Sequence, residues 1–125
     1  MKVIAVCILL LSLSVNCFAA HRHVESYYEK IWCKDQNGTA EVLFNDGTRA
    51  DCVIRTHAIE FEFALKWAES IGQSLHYGAL TGKTPGIVLI LEKPTDMRFL
   101  NRLHDTIKYY KLPITVWELD AWKMN

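Results

Sequence analysis

An α/β fold with a mixed central sheet flanked by helices is what this chain predicts, and three observations carry it. Residues 39–56 have the signature of a β-hairpin, and residues 58–63 alternate strictly between apolar and polar. After them, two amphipathic stretches alternate with apolar runs at residues 87–91 and 113–117. Strands joined by tight turns lie antiparallel and strands joined by helices lie parallel, so a sheet containing both kinds is mixed.

The elements follow in the order α-β-β-β-α-β-α-β. Val24, Tyr27, Tyr28 and Ile31 recur at helical spacing over residues 23–32, and Gln36-Asn37-Gly38 stops that helix. Residues 39–44 read as a strand, Asn45-Asp46-Gly47 as a hairpin turn and residues 49–56 as the returning strand. In residues 58–63, Ile59, Phe61 and Phe63 share one face while Glu60 and Glu62 share the other. A helix over residues 64–79 is expected to pack on the sheet through Leu65, Ala68, Ile71 and Leu75, with Trp67 at the border. Residues 81–86 read as a loop, and the run from Ile87 to Leu91 as a strand buried on both faces. A second amphipathic helix over residues 96–111 carries Phe99, Leu100, Leu103, Ile107 and Tyr110 on one side, and residues 113–117 form the last strand. Trp32, Trp67 and Trp117 are expected in the core and its helix contacts, with Trp122 the exposed one.

The 125 residues allow one domain. Met1-Lys2, the apolar residues 3–15 and the small-residue ending at Ala19-Ala20 have the layout of a secretory signal peptide, and the apolar stretch is short for a bilayer. Cleavage after Ala19 makes residues 1–19 the signal and 20–125 a single domain. Lipid attachment at Cys17 and a retained anchor are the alternatives. A secreted or periplasmic protein meets an oxidising compartment, so the remaining cysteines, Cys33 and Cys52, are expected to form a disulfide, with separate buried thiols as the alternative. No membrane contact is expected once the signal is removed. Asn37-Gly38-Thr39 is a glycosylation sequon, meaningful in a eukaryotic source. The formal net charge of zero gives no broad basic field of the kind nucleic-acid binders often carry.

The chemistry-bearing residues gather around the alternating strand. Glu60 and Glu62 share its polar face, and Asp51 on the preceding strand can approach them across the sheet. Carboxylates that converge repel one another unless a cation neutralises them, and hard oxygen ligands suit Mg²⁺ or Mn²⁺. The plain alternative is a solvated strand face, common for E-x-E. On the next helix Lys66, Gln73 and Tyr77 fall at i, i+7 and i+11, one polar stripe. Facing the acids, such a stripe offers a cation for developing charge and two hydrogen-bonding groups. Thr81-Gly82-Lys83-Thr84 leads from a helix into a strand, the reverse of what a phosphate-binding P-loop requires. His21-Arg22-His23 reads as a frayed polar terminus, although terminal histidines can bind copper or nickel. His57 and His76 stand near the acids as supporting candidates.

Asp51, followed nine residues later by Glu60-Phe61-Glu62 after a hairpin, resembles the D…(D/E)-x-K core of the PD-(D/E)XK nuclease superfamily. Gln73-Ser74-Leu75-His76-Tyr77 is similar to the Q-x-x-x-Y motif of its RecB-like branch. The resemblance spans about residues 24–91 and implies an αβββαβ restriction-endonuclease-like core. It also implies a metal held by Asp51 and Glu60, with Gln73 and Tyr77 positioning substrate and Glu25 or Glu29 from the first helix as additional site residues. Phosphodiester hydrolysis follows, with nucleic acid as partner and DNA favoured. One departure is clear, since Glu62 stands where the family has lysine. Either Lys66 supplies the ammonium from the helix, with Glu62 as a further ligand or base, or the domain is a secreted binding module without catalysis. A carboxylate pair that works without metal is a third reading.

Overall fold

The computed structural model describes residues 20–124, so the expected signal peptide lies outside the described residues. Helix α1 spans Glu25–Asp35 and is followed by strands β1 (Thr39–Leu43), β2 (Arg49–Val53) and β3 (His57–Phe63). A single 3₁₀ turn, Ala64–Lys66, leads into α2 (Trp67–Thr81), then β4 (Thr84–Leu91), α3 (Met97–Tyr110) and β5 (Thr115–Asp120). The element order is the expected one. All five strands form one sheet in sequence order, with β1–β2 and β2–β3 antiparallel and β3–β4 and β4–β5 parallel. A parallel pair needs a crossover, and α2 and α3 supply the two required.

The hairpin is tight. Phe44 N–H donates to Thr48 O at 2.8 Å, Gly47 N–H donates to Phe44 O at 3.0 Å, and Gly47 has φ +85. A positive φ at this third loop residue is the reason for glycine. Asp46 accepts hydrogen bonds from Thr48 N–H and Oγ1 and contacts His76 Nε2 at 2.7 Å, which ties the hairpin tip to α2.

Two apolar layers sandwich the sheet. On the α1 side, Tyr28, Cys33, Cys52, Ile59, Phe61, Val88 and Ile90 are buried, with Trp32 and Trp117 packed against them. On the α2–α3 side, Ala64, Ile87, Leu89, Leu91, Phe99, Leu100 and Leu103 form the second layer. Strand β4 contributes to both because it lies between two strands and under helices on each face, which explains its unbroken apolar run. Cys33 and Cys52 are bridged, with Cα atoms 5.8 Å apart, so the end of α1 is stapled to β2. Gly38 is required beside the staple, since a Cβ there would come within 2.6 Å of Cys52 Sγ and 2.7 Å of Cys33 Sγ.

Several expectations are corrected. α1 runs from residue 25 to residue 35, not 23–32, and β2 stops at Val53 because the chain turns before β3. The expected loop over residues 81–86 is half strand: β4 begins at Thr84 and pairs with His57, and Thr81 still belongs to α2. Pro85 is tolerated there because pairing with β5 begins only at Gly86, so no ladder bond is lost on that side. α2 packs through only part of the expected stripe: Ile71, with Trp67 at the border, lies against the second layer. Its buried stripe is Ser70, Ser74, Tyr77 and Gly78, while Leu65 is 71% exposed and Ala68 is exposed. Small side chains let the helix lie close to the sheet, and the serine hydroxyls are satisfied by donating to Trp67 O and Ile71 O. Trp122 is part-buried against the α3 layer, not exposed. The segment expected to fray is anchored: His21 stacks on Phe63 at 3.7 Å and contacts Glu92 at 2.5 Å.

Candidate metal centre

The site begins where β2 and β3 part. Their ladder has only two pairs, Cys52↔Ile59 and Val53↔Ala58. Beyond them, Phe61 N–H donates to Asp51 Oδ2 at 2.7 Å instead of to a backbone carbonyl. The Asp51 carboxylate therefore occupies the fork between two diverging strands.

Five further acids surround it. Glu60 and Glu62 on β3 are 5% and 7% exposed, and Glu29 on α1 is 2% exposed. Glu60 lies beside Asp51, close enough to feel its charge, and its Oε2 is buried with no partner. Phe63 N–H donates to Glu62 Oε1 at 3.0 Å, and Glu25 on α1 is near enough for the Glu62 charge to act on it. On the other side, one carboxylate oxygen each from Glu29, Glu41 and Asp51 lies within 4.8 Å of the other two. Glu29 Oε1 is likewise buried without a partner.

Burial and mutual repulsion push these groups toward the neutral form. Desolvation, then the charge of Asp51, lifts Glu60 to about 10. Desolvation is also the largest cause for Glu25, helped by Glu62 and Asp51, and for Glu29, helped by Asp51 and Glu41; both rise to about 8. Asp51 itself is raised by desolvation, with the Phe61 N–H opposing, and Glu62 is raised chiefly by burial. Protons thus take the place that a cation would take more effectively. The donor set is all oxygen, and two buried carboxylate oxygens lack partners, which fits a hard divalent ion such as Mg²⁺ or Mn²⁺.

The fold brings together most of the residues singled out in the sequence. Tyr77 is buried on α2, stacked on Phe44, and burial followed by the Glu60 and Asp51 charges lifts its hydroxyl to about 12. Lys66 ends the 3₁₀ turn, and its positive charge reaches both Glu25 and Glu62. It is exposed and makes no ion pair with the described residues. Gln73 sits on the exposed side of α2. His57 is placed elsewhere: Thr115 Oγ1 and Thr56 Oγ1 hold its two ring nitrogens at the other end of β3.

Glu41 is the acid that sequence reasoning misses, because along residues 39–44 it alternates like any outward strand residue. Strand register reveals it. Ala40 pairs with Cys52 and Val42 with Ala50, so Glu41 falls opposite Asp51. Like charges in that position repel, and Glu41 leaves the regular ladder with φ +56. Arg49 Nε meets Glu41 Oε2 at 2.6 Å.

No family model, curated protein or solved structure matches this chain. Among the described residues, no helix is long and apolar enough to cross a membrane. The Cys33–Cys52 bridge is of the kind that persists in oxidising compartments.

Proposed function

We propose that this protein is a secreted, divalent-metal-dependent nuclease on a restriction-endonuclease-like αβββαβ core, hydrolysing phosphodiester bonds, with DNA the favoured substrate. The observation that carries the proposal is the β2–β3 fork, where Asp51 and Glu60 share one site with Glu62 and Glu25 beside them and Tyr77 above. Asp51 and Glu60 hold Mg²⁺ or Mn²⁺. When bound, the ion supplies Lewis-acid polarisation of the phosphoryl oxygen and a more acidic water.

The chain's own residues supply the rest. Glu62, raised by burial, is the group best matched to take a proton from the attacking water. Lys66, within electrostatic reach of Glu62 but unpaired among the described residues, is free to approach an anionic phosphate. Tyr77 keeps its proton at neutral pH and can donate to a substrate oxygen. Gln73, one turn earlier on an exposed part of the helix, can reach a backbone or base.

The test is cleavage of plasmid and single-stranded DNA by the mature protein with Mg²⁺ or Mn²⁺, with and without chelator, beside Asp51→Asn. Chelator-sensitive cleavage that disappears in the variant supports the reading. Metal binding without cleavage supports the second reading, a metal-loaded secreted binding module. That alternative is favoured by one observation: Glu62 replaces a cation with an anion at the position next to the metal.

A further inference from the structure

We infer that the cavity at the carboxyl ends of β3 and β4 binds a planar anion of the nucleotide kind, an aromatic base carrying a phosphate. Taken as part of a substrate, the occupant is an unpaired nucleotide, and that step alone rests on the nuclease reading.

The cavity measures about 500 Å³, within the range of small-molecule sites. It lies where β3 gives way to the Ala64–Lys66 turn and β4 to the turn before α3. That is the carboxyl end of a parallel pair, the end at which open α/β sheets take ligands. Phe63, Ala64, Ile90 and Phe99 give it an apolar lining, and Leu65 beside them is 71% exposed, so apolar surface is left for a ligand to cover.

The charged groups of the lining favour an anion. Glu92 accepts from Arg22 N–H at 3.1 Å and contacts His21 Nδ1 at 2.5 Å. Asp96 accepts from the Glu92 and Lys93 N–H groups at 2.9 and 3.2 Å. Both acids are therefore occupied within the fold. Arg22, Lys93 and Arg98 also line the cavity, and none of them makes an ion pair among the described residues. Arg22 donates to Met124 O at 2.8 Å, and its guanidinium has further N–H groups to offer. Guanidinium groups match the oxygens of a phosphate.

Flat groups decide the body of the ligand. The His21 ring lies on Phe63 with centroids 3.7 Å apart and planes 6° apart, and the Arg98 guanidinium lies 4.6 Å over the Phe99 ring. The lining already stacks planar groups on its two aromatic side chains, a contact that a nucleobase extends. A base inside a duplex has both faces stacked, so entry requires an unpaired nucleotide. Phe63 follows Glu62 and Leu65 precedes Lys66 in the chain, which puts the occupant beside the candidate metal centre.

The experiment measures binding of thymidine monophosphate to the mature protein by calorimetry in excess chelator, which keeps the fork free of metal. A short single-stranded oligothymidylate, a duplex of the same length, inorganic phosphate and decyl phosphate are run beside it. The nucleotide and the single strand are expected to bind, and the duplex is expected not to compete. Arg98→Gln should weaken nucleotide binding by about tenfold or more, the scale of one hydrogen bond to a charged group. Leu65→Asp, which brings a like charge to the phosphate, should do the same, while Lys30→Gln on the exposed side of α1 leaves binding unchanged. All three side chains are exposed, so the variants should melt with the native protein, which separates lost binding from lost folding. A single strand that binds more tightly than the monophosphate identifies the occupant as part of a strand, and the reverse identifies it as free nucleotide. Binding that survives both Arg98→Gln and Leu65→Asp overturns the inference, as does no binding at all. Inorganic phosphate or decyl phosphate binding as tightly as the nucleotide overturns the planar body. Nucleotide binding without metal-dependent cleavage upholds the cavity and removes the nuclease reading. Cleavage of DNA without nucleotide binding leaves that reading standing and overturns the cavity.

Discussion

Glu60 carries two burdens, since it is buried beside another carboxylate and one of its oxygens has no partner. In the metal-free protein it must hold a proton that the unfolded chain would release at neutral pH. Glu60→Gln keeps the shape and removes that cost, so at pH 8 without metal the variant should melt higher, at about 4–8 °C per kcal/mol regained in a domain of this size. Differential scanning calorimetry checks this. The same substitution should abolish metal-dependent cleavage, a stability–function opposition typical of a built site. Lys66 is tested differently, because its surroundings are exposed and its removal should leave the fold intact. Lys66→Met is expected to lower kcat by roughly 100-fold or more with little change in KM, the scale lost when one group that stabilises developing charge is removed. An unchanged kcat would sink the view that this lysine replaces the one missing at Glu62.

The element that positions the site is the short ladder between β2 and β3. With two residue pairs, it leaves Asp51 and Phe61 free to meet through a side chain. The disulfide holds the neighbouring geometry, because Cys52 follows Asp51 on β2 and Cys33 lies one helical turn beyond Glu29 on α1. Closing a loop of this size stabilises by roughly 3 kcal/mol through the unfolded chain. Reduction, or paired Cys33→Ala and Cys52→Ala changes, should therefore lower stability by about that amount in denaturant titrations. It should also weaken Mn²⁺ binding, since Glu29 and Asp51 would no longer be held in register across α1 and β2. Unaltered metal affinity after reduction would show that packing alone keeps the fork in place.

Across the whole molecule, the net charge is zero yet six acids crowd around the fork. Glu60, Glu25 and Glu29 have folded pKa values raised above their unfolded ones, to about 10, 8 and 8. For a raised acid, stability is full below the unfolded pKa and is lost as pH rises through the folded value. The metal-free protein should thus become less stable from about pH 5 to pH 10, most steeply between about pH 5.5 and 7.5, where all three hold protons the unfolded chain has lost, and less steeply above about 8, where only Glu60 still does. Saturating Mg²⁺ or Mn²⁺ should remove most of that slope and release protons on binding. Melting temperatures across this pH range, with and without metal, test it; a flat metal-free profile would contradict the raised acids. The basic residues offset the cluster only in part: Arg49 pairs with Glu41 and the Lys66 charge reaches Glu25 and Glu62, while Lys83 Nζ donates to Arg55 O. Affinity for nucleic acid should accordingly depend on the bound metal and fall with added salt.

Local pattern was enough for the α/β class, the element order, the hairpin, the Cys33–Cys52 pairing and the grouping of Asp51 with Glu60 and Glu62. The cysteine pairing follows from the cysteine count and the expected compartment, and the rest from periodicity, turn chemistry or short-range connection, which act between residues near in sequence. The outward rotation of Leu65 and the burial of Ser70 and Ser74 were not legible, because hydrophobicity alone argues the reverse and only close helix–sheet approach rewards small side chains. Glu41 was hidden for a related reason. Its importance comes from the register that sets it against Asp51 and from α1 delivering Glu29 to the same point, and neither alignment has a signature within five residues of strand. The conversion of separate acids into one proton-holding, cation-fitting cluster belongs to the tertiary structure alone, since desolvation and mutual repulsion exist only once three strands and a helix have closed around the same carboxylates.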